Sequence, residues 1–199
     1  MARQQPHPLL IYLHGLNSSR ASYKAAVLRE RLGCGELVTP TYPAHRPDDA
    51  IQVLSEVIRS ALAERLPGSH LVLLGSSMGG FYAQYLAHRF PVEHVVMINP
   101  ALLPWELLPK HVGPQQTATG ERYVLTLETA EACRRYAVPD PCDGPPTTLL
   151  IDKGDEVIDY RIAVEIYRRC GRIQLFEGGS HAFEHMDEAL SIIRAICGV

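Results

Sequence analysis

The sequence predicts an α/β fold, a mostly parallel six-stranded sheet with helices on both faces. Three observations point to it. Short apolar runs alternate with amphipathic segments along most of the chain, the order expected when each strand crosses through a helix to a parallel neighbour. One junction, Gly75-Ser76-Ser77-Met78-Gly79, passes from an apolar run to a helical segment with no room for a loop. At 199 residues the chain is long enough for one well-buried α/β domain, and residues 1–199 are read as that single domain.

Leu9-Leu10-Ile11-Tyr12-Leu13 is a continuous apolar run, as expected of a strand buried on both faces. Residues 21–32 carry Ala25, Val27, Leu28 and Leu32 at helical spacing and stop at Gly33. A second short strand runs from Glu36 to Thr39 and ends at Pro40. Asp48 or Asp49 then caps a long helix whose apolar face includes Ile51, Val53, Leu54, Val57, Ile58 and Leu62. Leu71 to Leu74 is the third strand and leads into the 75–79 junction; Phe81 to His88 continues as a helix. His94 to Ile98 is the fourth strand, closed by Asn99-Pro100.

The rhythm then breaks. Prolines at 100, 104, 109 and 114 preclude one long helix, so residues 100–120 are read as short turns over the sheet. Residues 121–127 have strand character, 128–137 look helical, and the Pro- and Gly-rich stretch 139–146 is a loop. Residues 100–146 together make a short Pro-rich, cap-like insertion. Alternation resumes with a strand at 148–151, a helix at 159–169, a strand at 172–176 and a helix at 183–197.

Composition limits the partners. A net charge of −3 and a pI near 6.3 leave no basic footprint for nucleic acid. No run approaches the roughly 18 apolar residues that span a membrane, and Leu9 to Leu13 is too short for a signal-peptide core. A cytoplasmic location is expected, and no oligomeric state is assigned. The five cysteines, at 34, 133, 142, 170 and 197, form no C-x-x-C pair, so they are expected to be buried small apolar residues or surface thiols rather than a disulfide framework or a zinc site.

The chemistry is concentrated at strand ends. Gly-x-Ser-x-Gly at a strand-to-helix turn is the pattern of a nucleophile elbow. The turn forces its apex, Ser77, into a strained backbone conformation with the hydroxyl exposed, and flanking glycines remove side chains that would collide. The alternative is a plain helix cap by Ser76 or Ser77. A serine hydroxyl needs a base within hydrogen-bond reach, itself oriented by an acid. Ligand sites in such sheets lie beyond the carboxyl ends of the strands. There the chain offers Asp152-Lys153-Gly154-Asp155-Glu156 and then Gly178-Gly179-Ser180-His181, in the order acid then histidine. Asp155 is preferred as the acid because it lies in the loop just past the strand. Asp152 is closer to the strand end and reads as structural, and Asp159 reads as the cap of the next helix. His181 is preferred as the base; His185 falls on the last helix, and His7, His45, His70, His88, His94 and His111 lie on tails, strand starts, helix ends or the irregular insertion. An oxyanion needs preorganised N–H donors. Met78 N–H follows the nucleophile directly, and Leu16 N–H, in the loop His14-Gly15-Leu16-Asn17-Ser18-Ser19, is the second candidate. Asn17, Ser18 and Ser19 are expected to brace that loop, or Ser18 or Ser19 to cap the next helix.

On Tyr12 to Ser19, Gly75 to Ala83, Ile98 to Ala101, Gly154 to Arg161 and Gly178 to Phe183, the chain resembles the α/β-hydrolase superfamily, and within it the YqiA-like small bacterial esterases. Leu16 and Met78 stand where Phe and Leu are expected, which bears on pocket shape more than on backbone donors. The resemblance implies a serine esterase of small acyl esters with Ser77, Asp155 and His181 as its triad. Its substrate would be a small-molecule ester or thioester, and its chemistry would need no cofactor and no metal. An acyl-CoA thioesterase and a non-catalytic binding domain are the alternatives. Arg20, Lys24 and Arg46 either meet phosphates near the loops or, in the preferred reading, are scattered surface cations. The stretch Pro100 to Pro114, with Trp105 and its leucines, either caps the acyl site or covers the sheet edge.

Overall fold

A computed structural model describes residues 7–33 and 35–198; the first six residues and Cys34 lie outside the described part. The order along the chain is β1 (Leu9–Leu13), α1 (Tyr23–Arg31), β2 (Glu36–Val38), α2 (Pro47–Glu64), β3 (Leu71–Ser76), α3 (Met78–Ala87) and β4 (Val92–Ile98). Then come α4 (Pro104–Leu107), β5 (Gly113–Gln116), β6 (Arg122–Leu125), α5 (Leu127–Ala132), β7 (Thr147–Asp152), α6 (Tyr160–Tyr167), β8 (Gly171–Phe176) and α7 (Met186–Cys197). Six strands form one sheet in the order β2-β1-β3-β4-β7-β8, and its pairings are all parallel. Strand order reverses between β1 and β3. A crevice opens where successive crossovers depart in opposite directions.

Strand alternation sends side chains to two cores. Leu9, Ile11, Leu13, Leu71, Leu73, Val95, Met97, Leu149 and Ile151 pack with Leu54 and Ile58 of α2, Phe81 and Tyr82 of α3, and Ala163 and Tyr167 of α6. Leu10, Tyr12, Val72, Leu74, Val96, Ile98 and Leu150 face the other way, onto Val27 and Leu28 of α1 and Ala189, Leu190 and Ile193 of α7. β1 and β3 are buried on both faces, as their unbroken apolar runs require.

Several boundaries differ from expectation, each for a local reason. Neither Asp48 nor Asp49 caps α2. Pro47 occupies the first turn with its fixed φ, Arg46 stands at the cap without a side-chain bond, and both acids lie in the first turn, where they meet the positive end of the helix dipole. Asp48 instead accepts from Arg135 and Tyr136. Ser22, not Ser18 or Ser19, caps α1. α3 starts at Met78, directly after the apex serine. α7 starts only at Met186, because Phe183 sits at a left-handed φ of 65°. The strand expected within 121–127 exists as β6, but its antiparallel partner β5 is polar and carries Pro114, so no apolar alternation marks it. Asp159 caps α6 as expected, accepting from Arg161 N.

The cysteine expectation needs one correction. Cys133 is a buried thiol, but Cys142 and Cys170 form a disulfide across a separation of 28 residues. The chain lacks a Cys-pair motif because this pairing is made by the fold, between the 139–146 loop and the end of α6.

Candidate active site

The candidate residues gather at the carboxyl edge of the sheet. β3 ends at Ser76 and α3 begins at Met78, leaving Ser77 alone in the turn at φ 54°, ψ −122°. A side chain other than glycine in that region costs about 1–3 kcal/mol and persists only where the surroundings hold it. Here they do: Ser77 N donates to Ile98 O at 3.0 Å, while Ser77 O accepts from Gly80 N and Ala101 N at 2.9 and 3.1 Å. A Cβ on Gly75 would meet Gly79 backbone, and one on Gly79 would strike the Leu13 carbonyl. Glycine is therefore required on both sides of the apex.

The loop after β1 closes over this turn. A Cβ on Gly15 would lie 3.1 Å from Ser77 Cβ, which brings the backbone of residues 14–16 against the serine. Neither Leu16 N–H nor Met78 N–H donates a hydrogen bond to another described residue. His14, 2% exposed, stacks on Tyr42 at 4.3 Å between ring centroids and places Nδ1 2.9 Å from Gly15 O. Its Nε2 has no hydrogen-bond partner, and burial lowers its pKa. It therefore serves as a neutral prop for the loop.

Asn17, at φ 57°, is braced from outside. Its Nδ2 donates to Gln115 Oε1 at 2.9 Å, its Oδ1 accepts from Tyr123 OH at 2.8 Å, and its carbonyl accepts from Ala118 N. The β5–β6 hairpin thus holds the loop in place. Ser19 Oγ accepts locally from Ala21 N.

The loops after β7 and β8 bring a carboxylate and an imidazole together. Asp155 and His181 meet with Oδ2 and Nδ1 2.9 Å apart. The Asp155 side chain is 2% exposed and that of His181 25%. Asp155 Oδ1 accepts from Val157 N and Ile158 N at 2.9 and 2.8 Å, so the carboxylate is fixed before it meets the imidazole. With Nδ1–H donated to the carboxylate, Nε2 carries the lone pair. Glu156 accepts from His181 N at 3.0 Å, which lowers its pKa. Ser77 and His181 line one cavity of about 320 Å³ together with Gly15, Leu16, Ser22 and Lys24.

A second carboxylate, Asp152, supports this loop from below. It is fully buried. Its Oδ2 accepts from Glu184 N at 2.7 Å and Ser180 N at 3.3 Å, and its Oδ1 lies 2.7 Å from His185 Nδ1. His185, stacked on Phe176 at 4.7 Å, caps α7 rather than lying within it. Asn99 completes the clamp, accepting from Asp152 N at 2.9 Å and donating to Ser180 O at 3.0 Å. The structural reading of Asp152 is thereby given a content: it ties down the segment that carries His181. Position at the strand end signals Asp152 in sequence; nothing there signals its bond to His185.

Among the described residues no cluster of His, Cys, Asp or Glu is arranged to hold a metal, and no helix is long and apolar enough to cross a membrane. Residues 9–197 match the family described as "Uncharacterised protein family (UPF0227)". Protein ABHD8 of Bos taurus is 34% identical over 105 residues, covering 48% of this chain and 24% of that protein, so the match spans about a quarter of the length of this curated relative. Among solved structures, Est1E from Butyrivibrio proteoclasticus superposes with a TM-score of 0.74 at 16% identity, covering 97% of this chain and 88% of the other. A monoacylglycerol lipase from Paleococcus ferrophilus gives 0.68 at 16%, covering 95% and 93%. Mouse alpha/beta hydrolase domain-containing protein 10 gives 0.67 at 16%, covering 98% and 94%. These likenesses show the fold: the architecture is that of the α/β-hydrolases.

Proposed function

The chain belongs to the UPF0227 family and has the α/β-hydrolase fold, and on that premise we propose that it is a serine esterase of small carboxylic esters, working through Ser77, His181 and Asp155. The observation that carries this reading is the convergence of a strained apex serine and an acid-oriented imidazole on one cavity. Ser77 Oγ attacks the ester carbonyl while His181 Nε2 takes the hydroxyl proton. Asp155 holds the ring in the tautomer that leaves Nε2 free and stabilises the imidazolium that forms. The oxyanion accepts from Leu16 and Met78 N–H, each donor worth roughly 3 kcal/mol of barrier. Collapse breaks the C–O bond, and the alcohol leaves with the proton from His181. Water then attacks the acyl-Ser77 ester, His181 taking its proton and returning it to Ser77 as the acid departs. Acyl thioesters pass through the same steps with a thiol as leaving group.

We read residues 1–199 as one domain, with residues 100–146 as its cap-like insertion and the β5–β6 hairpin as the part that reaches the site. The cytoplasm is the proposed compartment. A disulfide such as Cys142–Cys170 is rare in that compartment; thiol trapping from intact cells that finds both thiols reduced supports the cytoplasm, and trapping that finds the bond formed contradicts it. Ser77→Ala is expected to lower kcat roughly 10⁴-fold or more with the fold intact. Retained hydrolysis would mean another nucleophile.

A further inference from the structure

Among the described residues, Lys24 is the one lysine or arginine on the wall of the cavity that holds Ser77 and His181. It lies in the first turn of α1 and is half-buried. Its Nζ donates to Ala182 O at 2.7 Å, and no carboxylate approaches it within ion-pair distance among the described residues. The two acids whose charge it feels, Asp152 and Asp155, are committed elsewhere: Asp152 to Ser180 N, Glu184 N and His185, Asp155 to His181, Val157 N and Ile158 N. Other cations nearby are differently placed. Arg46 pairs with Asp49, and Arg31 with Asp187.

A partly desolvated ammonium without a counter-ion is costly, and such groups are paired in folded proteins. One of the three N–H donors of Lys24 is used. The rest of the cavity wall supplies hydroxyls, from Ser18, Ser22 and Tyr23, and no acid. A lone ammonium on a wall that also carries hydroxyls suits one negative charge on a planar oxyanion. The cavity, about 320 Å³, is at the small end for ligand sites. Burial pushes the ammonium down to about 8, with Asp152 and Asp155 opposing, so it is charged at neutral pH.

From this arrangement, and resting on the serine-esterase reading, we propose that Lys24 is an anion subsite and that the substrate is a small ester bearing a carboxylate. The surface-cation reading of the sequence then holds for Arg46 but not for Lys24.

Two matched ester pairs test this at pH 7. p-Nitrophenyl butyrate against p-nitrophenyl hemiglutarate puts the charge in the acyl part; phenyl acetate against 4-acetoxybenzoate puts it in the alcohol. The wild type is expected to favour the anionic member of one pair, identifying which part carries the charge. Lys24→Met should lower that preference roughly tenfold or more, through KM, the size of a lost charge-assisted hydrogen bond; Lys24→Arg should recover most of it. Neutral and anionic esters falling together through kcat would overturn the proposal, leaving Lys24 as a strut for the His181 segment. So would a wild-type preference for the neutral ester in both pairs. If the wild type cleaves none of the four, the esterase reading fails separately, and calorimetric titration with glutarate decides the subsite. Binding lost in Lys24→Met keeps the subsite; absence of binding to the wild type removes it.

Discussion

Ser77 is held at φ 54° by the hydrogen bond its N–H donates to Ile98 O and by those its carbonyl accepts from Gly80 N and Ala101 N, so its position does not depend on its own side chain. The same logic applies to Asp155, whose Oδ1 is taken by two backbone N–H groups before Oδ2 reaches His181. In Asp155→Asn the amide nitrogen can face His181 Nδ1 only by making that nitrogen an acceptor, which moves the proton to Nε2 and blocks the proposed base. The expected outcome is a fall in kcat of roughly 10⁴-fold with KM little changed, measured on any ester the wild type cleaves. A fall below tenfold would mean that another acid orients the imidazole. These three residues are legible in the sequence because each follows a strand and they occur in a fixed order. Lys24 is not legible. Its partner, Ala182, is 158 residues away, and only the folded crevice shows that α1 and the His181 segment share a wall.

Elements supply the positioning. The loop after β1 is held by the β5–β6 hairpin through Asn17, and the segment from Gly178 to His185 is held by Asp152 and Asn99. Asp152→Asn would set an amide N–H₂ against donors that now meet a carboxylate. It is expected to cost about 3 kcal/mol of stability, the scale of a broken buried charged pair, and to lower kcat more than it raises KM, because His181 loses its fixed seat. Chemical denaturation and steady-state kinetics on the variant check both. Unchanged kcat per folded molecule would confine Asp152 to a folding role. Strands and helices of the sheet are legible because their apolar periodicities of two and 3.6 are satisfied by two cores. Element ends are less so: Phe183 looks like helix by composition, yet the clamp on Asp152 forces a left-handed turn there. The hairpin is half-legible, since β5 is a polar strand whose side chains face solvent or another loop.

At the scale of the molecule, strand order reverses between β1 and β3, and the Ser77 cavity opens at that reversal, lined by residues that follow both strands. The fold thus brings together the His14–Gly15 loop and the apex serine, which lie some sixty positions apart in the chain. Away from this edge, the Cys142–Cys170 disulfide ties the 139–146 loop to the end of α6. Closing a loop of that length stabilises by about 3.6 kcal/mol in the chain-entropy description. Cys142→Ser should therefore lower stability by that amount under oxidising conditions and by nothing in excess dithiothreitol, as denaturant titration reads it. Esterase activity should be unaffected, because neither cysteine lines the Ser77 cavity. The kinetic expectations rest on Ser77 being an activated nucleophile. The most direct measurement is reaction of the purified protein with a fluorophosphonate probe followed by mass spectrometry of the labelled peptide. One adduct per chain is expected, on Ser77, strongly slowed in His181→Ala; a folded protein that takes up no label, or takes it on another residue, would rule out Ser77 as the nucleophile.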